Sequence, residues 1–125
     1  QGLEDKRPEL LHIPGGDLSP LASRAFDVIL AQSVFTHLPP DEIIAILQRL
    51  GPFLAPQGRF FASFSRTQEG IVRQQLHNWY YDLAFFETAA REASLNLQLL
   101  DGWVHPYGGF MPSFARSELA LFTRG

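Results

Sequence analysis

Ala31, Gln32 and Ser33 follow an apolar run, and a histidine, His37, comes four residues after Ser33. Open α/β sheets bind ligands beyond the carboxyl ends of their strands, so backbone groups here and the Gln32 amide could hydrogen-bond a polar ligand. An imidazole titrates near neutral pH, which suits His37 to act as a base or an orienting group. The alternatives are a solvated strand-end side chain for Gln32 and a helix-start histidine satisfied by its neighbours for His37.

Aromatic and acidic residues elsewhere are further candidates for a site. Trp79 and Tyr81 precede a helical pattern and could line a substrate pocket, although aromatic side chains more often belong to a core. Asp17 lies beside Leu18 in a loop-like stretch, where it could accept a hydrogen bond from a ligand or from its own turn. The 4 histidines are far apart and show no metal-ligand spacing, so we predict no metal site.

The elements that would position these residues form an α/β pattern. Residues 25–35 hold an apolar, β-branched run, typical of a strand covered on both faces. Prolines and acidic residues at 39–42 indicate a helix start, and Pro52 indicates its end. Apolar residues recur between them at helical spacing, namely Ile43, Ile44, Leu47 and Leu50. A strand at 59–64, a helix at 81–95 and strands near 97–103 and 118–123 complete the prediction.

Bulk composition limits the function classes. A chain of 125 residues with 46% hydrophobic residues can form one globular domain or part of one. The net charge of -3 and the scattered basic residues argue against nucleic acid as a partner. No apolar run approaches the roughly 20 residues of a membrane span, so no membrane partner is expected. The absence of cysteine suits an intracellular enzyme, with the cytoplasm as the expected compartment.

Four short motifs in order resemble the second half of class I, Rossmann-like, S-adenosylmethionine-dependent methyltransferases. They are Gly16-Asp17-Leu18, Phe26-Asp27-Val28-Ile29, Val34-Phe35-Thr36-His37-Leu38-Pro39 and Leu54-Ala55-Pro56-Gln57-Gly58-Arg59. The resemblance implies a partial α/β sheet of strands 4-5-7-6, with the last strand of the chain antiparallel and helices flanking it. Residues 1–125 would then be the C-terminal part of a single methyltransferase domain.

The same resemblance implies S-adenosylmethionine as cofactor and a small molecule as methyl acceptor. It assigns the adenine side of the cofactor to Asp17 and Leu18, and the methionine side to Ala31, Gln32 and Ser33. His37 becomes the candidate catalytic residue. Trp79 and Tyr81 become candidates for binding the acceptor.

Two departures from the family pattern shape the remaining expectations. Gln57 stands where the family usually has glycine, and no strand followed by Gly-x-Gly occurs in these residues. We therefore expect that segment upstream in a longer parent, and a fragment that is inactive alone. A non-catalytic nucleotide-binding or regulatory module with the same sheet is the alternative. The partial sheet would leave residues 26–34 as an open edge, which predicts a homo-oligomer or packing against the parent.

Overall fold

The computed structural model describes residues 18–21, 24–68, 72–103 and 115–125. Within these ranges two α-helices alternate with six strands. In chain order the elements are β1 (Phe26–Ala31), α1 (Pro40–Leu50), β2 (Leu54–Arg66), β3 (Arg73–Gln75), β4 (Asn78–Tyr80), α2 (Leu83–Glu92), β5 (Leu95–Leu100) and β6 (Arg116–Arg124). Short 3-10 turns occupy Ser19–Leu21, Phe35–His37 and Gly51–Phe53.

Four of the strands form one mixed sheet in the order β1-β2-β6-β5. β1 and β2 are parallel, with Ala31 opposite Ala62, and α1 forms the crossover between them. β6 runs antiparallel to both β2 and β5. The sheet therefore confirms the predicted α/β class and the partial order with an antiparallel last strand.

Both helices pack against the same face of this sheet. Ile43 and Leu47 of α1 and Phe86 of α2 are fully buried in one core cluster. Other members of that cluster are Phe60, Ala62, Phe64, Ala120 and Phe122. Strand residues alternate between faces, so Val28 and Leu30 point away from the helices, and they are 61% and 66% exposed. Among the described residues, β1 is therefore covered on one face, whereas the sequence predicts cover on both.

Element boundaries differ from the sequence prediction where single residues interrupt a pattern. β1 ends at Ala31, earlier than the predicted 25–35, because Ser33 turns the chain with a φ of 58°. α2 begins at Leu83, within the predicted 81–95, because the Asp82 carboxylate accepts a hydrogen bond from the Phe85 amide at 3.0 Å. Leu95 opens β5 instead of ending the helix.

Gly58 lies where β1 and β2 come together irregularly, next to a shift in their pairing. A Cβ atom there would stand 2.8 Å from the Phe26 carbonyl oxygen and 2.9 Å from that of Ala55. We expect Gly58→Ala to lower the free energy of unfolding by about 1–3 kcal/mol, because backbone atoms cannot move aside cheaply. Urea denaturation measures the loss. Gly51→Ala is the matched control, because its Cβ would meet nothing nearer than 3.8 Å; equal losses for both variants would contradict this account.

Candidate functional site

The candidate site lies at the carboxyl ends of the parallel strands β1 and β2. Ala31 ends β1 half-buried, Gln32 is exposed, and Ser33 is half-buried. The three residues predicted to bind cofactor therefore form one continuous turn at the sheet edge where open α/β folds bind ligands. Phe35, a little further on, is fully buried and fixes the chain to the core.

Ser33 adopts a left-handed backbone conformation with a φ of 58°, which is uncommon for a residue other than glycine. Its backbone N–H donates a hydrogen bond of 2.7 Å to the Ser63 hydroxyl oxygen on β2. Ser63 is only 3% exposed. The turn after β1 is thus tied to the neighbouring strand by a buried side chain.

His37 is exposed at the end of the 3-10 turn, beside the hairpin formed by β3 and β4. Its Nδ1 lies 3.4 Å from the backbone carbonyl oxygen of His77, in the turn of that hairpin. Because a carbonyl only accepts, a hydrogen bond here uses the ring tautomer with its proton on Nδ1, in which Nε2 is an acceptor. The geometry therefore suits His37 to take a proton through Nε2.

Tyr81 is fully buried, and its hydroxyl donates to the carbonyl oxygen of Leu38. The backbone N–H of Tyr81 donates a hydrogen bond of 2.9 Å to the carbonyl oxygen of Ser65. The carbonyl oxygen of Tyr81 accepts one of 2.8 Å from the N–H of Thr67. Burial, and then the charges of Asp41 and Glu42, raise the pKa of Tyr81 above its ordinary value. The phenol therefore stays protonated and holds the end of the His37 turn, and direct binding of an acceptor by Tyr81 stays a prediction.

Of the other predicted site residues, the structure describes Trp79 and Leu18. Trp79 is half-buried on β4, and its ring stacks on that of Tyr81 with centroids 6.2 Å apart. Leu18 is half-buried, and its carbonyl accepts a 2.9 Å hydrogen bond from the Leu21 amide. Asp17 lies outside the described residues.

Sequence reasoning missed Ser63 and the hairpin around His77. Ser63 sits in a run that reads simply as a strand, and its partner is 30 residues away. Residues 73–80 show no alternating apolar pattern, and the turn includes Leu76 with a φ of 58°, so no glycine marks it. No local signal in the sequence could have identified either contact.

Among the residues that the structure describes, no group of three or more His, Cys, Asp or Glu side chains could hold a metal ion. No helix within them has the length and apolar character needed to cross a membrane.

A surface pocket lies at the opposite end of the sheet, away from His37. It is lined by Gln48, Gly51, Pro52, Ala93, Ser94, Leu95, Arg124 and Gly125.

Comparison with known proteins gives structural matches alone. No family model matches the sequence, and no curated protein does. The mitomycin 7-O-methyltransferase MmcR matches with a TM-score of 0.62 and 15% identity, over 88% of this chain and 33% of MmcR. Human N-acetylserotonin methyltransferase, solved with S-adenosylmethionine, matches with a TM-score of 0.58 and 12% identity, over 79% of this chain and 29% of the enzyme.

A structure described as a pericyclic reaction enzyme also matches, with a TM-score of 0.58 and 16% identity. It is matched over 82% of this chain and 27% of its own length. The chain thus spans about a third or less of these three structures. At such identities the likeness shows the fold. The chain has a fold that matches part of each of these methyltransferase structures.

Proposed function

We propose that this chain supplies part of the active site of a cytoplasmic S-adenosylmethionine-dependent methyltransferase that acts on a small molecule. The observation that carries the proposal is the turn of Ala31, Gln32 and Ser33 at the carboxyl end of β1, with His37 a few residues beyond it. This turn fits the methionine part of the cofactor, because it offers backbone groups and an exposed amide side chain at the open sheet edge. Asp17 and Leu18 are assigned to the adenine side.

Methyl transfer from S-adenosylmethionine needs little acid or base catalysis. S-adenosylmethionine supplies an activated methyl group with a neutral leaving group, so alignment of the acceptor accounts for most of the rate. Nε2 of His37 orients the acceptor and removes its proton, while the His77 carbonyl fixes the ring. Trp79, with Tyr81 behind it, is assigned to the acceptor side of the site.

The cofactor assignment is tested by titrating S-adenosylmethionine into the complete gene product that contains this chain. We expect Gln32→Ala to weaken cofactor binding about tenfold, because a side-chain hydrogen bond to a charged ligand is lost. Isothermal titration calorimetry measures the dissociation constants. Gln98→Ala is the control, because Gln98 is also an exposed glutamine but lies on β5. Equal affinities for Gln32→Ala and the unmodified protein would remove Gln32 from the cofactor site.

A second candidate function deserves a separate test because the fold also occurs in a protein described as a pericyclic reaction enzyme. Fold alone does not fix the reaction. The second candidate is a non-catalytic nucleotide-binding or regulatory module that has the same sheet and transfers no methyl group. Production of S-adenosylhomocysteine in the presence of candidate acceptors separates methyl transfer from binding alone.

The free side of β1 leads to a prediction about assembly. β1 pairs with β2, and no other described strand pairs with β1, which makes it an edge with exposed Val28 and Leu30. We propose that this edge is covered by further sequence of the same gene product or by a second copy. We expect the 125-residue chain alone to form a dimer or larger assembly by light scattering. A monodisperse monomer whose β1 amides are protected from exchange would contradict the open edge.

A further inference from the structure

We infer that Ser63 is a positioning residue for the cofactor site, with its hydroxyl holding the turn at Ser33 in the conformation that binds the cofactor. The inference rests on the proposed function and adds a residue on another strand. Ser63 lies on β2, where it faces away from the helices because its neighbours Ala62 and Phe64 are in the core. Its hydroxyl accepts the 2.7 Å hydrogen bond from the Ser33 N–H.

The bond matters because the Ser33 backbone is in a conformation that its side chain disfavours. A left-handed φ of 58° at a serine persists only where surrounding contacts impose it. The hydrogen bond to Ser63 is partly buried, because Ser63 is 3% exposed and Ser33 is half-buried. An N–H shielded from water that loses its acceptor is costly, so without the Ser63 hydroxyl the turn would change conformation to expose the Ser33 N–H to water.

A change at Ser33 would move the cofactor contacts directly. Gln32 precedes Ser33, and Ala31 is held to β2 by pairing with Ala62. The start of the turn is therefore fixed by the sheet, and its direction after Ala31 depends on the Ser33 backbone. Ser63 acts through that backbone and needs no contact with the cofactor.

The next hydroxyl along the strand provides a matched control. Ser65 is also buried, at 5% exposed, and lies on the same side of β2 as Ser63 because it is two positions further along the strand. Its backbone carbonyl accepts from the Tyr81 amide. Ser65→Ala therefore removes a similar buried hydroxyl from the same strand without touching the Ser33 bond.

The experiment compares Ser63→Ala, Ser63→Cys, Ser63→Thr and Ser65→Ala in the complete gene product. Affinity for S-adenosylhomocysteine is measured by calorimetry, and exchange of the Ser33 amide is followed by NMR. We expect Ser63→Ala and Ser63→Cys to weaken binding about tenfold and to speed Ser33 exchange by a similar factor, because neither offers a good acceptor. Ser63→Thr keeps a hydroxyl and restores both, and Ser65→Ala stays within about twofold.

The possible results distinguish the role of Ser63 from the proposed function of the chain. If the unmodified protein binds and Ser63→Cys binds equally well, the role of Ser63 is overturned and the proposed function stands. Ser63→Cys gives this answer even if Ser63→Ala does not fold, because it nearly preserves side-chain volume. If Ser63→Ala and Ser65→Ala weaken binding equally, the effect is one of general stability and the inference fails. If the unmodified protein does not bind, the proposed function and the inference fall together.

Discussion

In the complete gene product, His37→Ala should reduce kcat by at least about 100-fold while the dissociation constant of S-adenosylmethionine changes by less than about twofold. The reason is that His37 lies a few residues beyond the turn of Ala31, Gln32 and Ser33, with Nδ1 beside the His77 carbonyl oxygen, and we propose that its Nε2 meets the acceptor. A base or orienting group acts on the acceptor, so its loss slows turnover and leaves cofactor binding intact. Steady-state kinetics and calorimetry measure the two quantities.

His77→Ala is the control for this prediction. The contact with His37 uses the backbone carbonyl of residue 77, which any substitution with alanine retains. We expect normal turnover from His77→Ala. If His37→Ala leaves kcat unchanged, His37 is a helix-start histidine whose hydrogen bonds are satisfied by its neighbours. If the variant instead loses much of its affinity for S-adenosylmethionine, His37 belongs to the cofactor site.

Phe86→Ala should lower the free energy of unfolding by about 3–5 kcal/mol, the largest stability change we expect in this chain. Phe86 is fully buried, and its ring meets those of Phe35, Phe64, Tyr81 and Phe122 at centroid distances of 5.7, 4.4, 5.4 and 6.4 Å. Truncation would leave a cavity between α2 and the sheet. Because Phe35 and Tyr81 hold the two ends of the His37 turn, turnover should fall as well.

Urea denaturation measures the loss at Phe86, and Leu76→Ala provides the contrast. Leu76 is 83% exposed in the hairpin turn, so its truncation should change the unfolding free energy by less than about 0.5 kcal/mol. Phe86→Leu should lie between the two. A loss below about 1 kcal/mol for Phe86→Ala would mean that α2 does not pack on the sheet as described.

The sheet could be predicted because its strands and helices carry strong local patterns. The apolar run of β1, the amphipathic stripe of α1 and the prolines around Pro52 each point to one element, and the family resemblance supplies the strand order. The boundaries could not be predicted, because they depend on single contacts. The Asp82 cap sets where α2 begins, and the sheet contacts of Tyr81 withdraw that residue from the helix.

The grouping of candidate site residues could be predicted only for residues that are close to one another in the sequence. Ala31, Gln32, Ser33 and His37 are close in sequence, and the end of β1 brings them to one edge. The contacts that fix them come from β2, from the turn between β3 and β4 and from the residue after β4, 30 to 43 positions further along the chain. Such long-range pairs follow from strand register and from a hairpin that lacks a glycine turn, and neither has a local signature.

The proposed function requires that the turn at the end of β1 contacts S-adenosylmethionine. The most direct measurement is an NMR titration of the complete gene product with S-adenosylhomocysteine, following the backbone amides of Ala31, Gln32 and Ser33. We expect saturable shifts of these amides with a dissociation constant on the order of 10 µM, while Ser94 at the opposite end of the sheet stays unchanged. Saturation that leaves the amides of Ala31, Gln32 and Ser33 unmoved, or no binding up to about 1 mM, would contradict it.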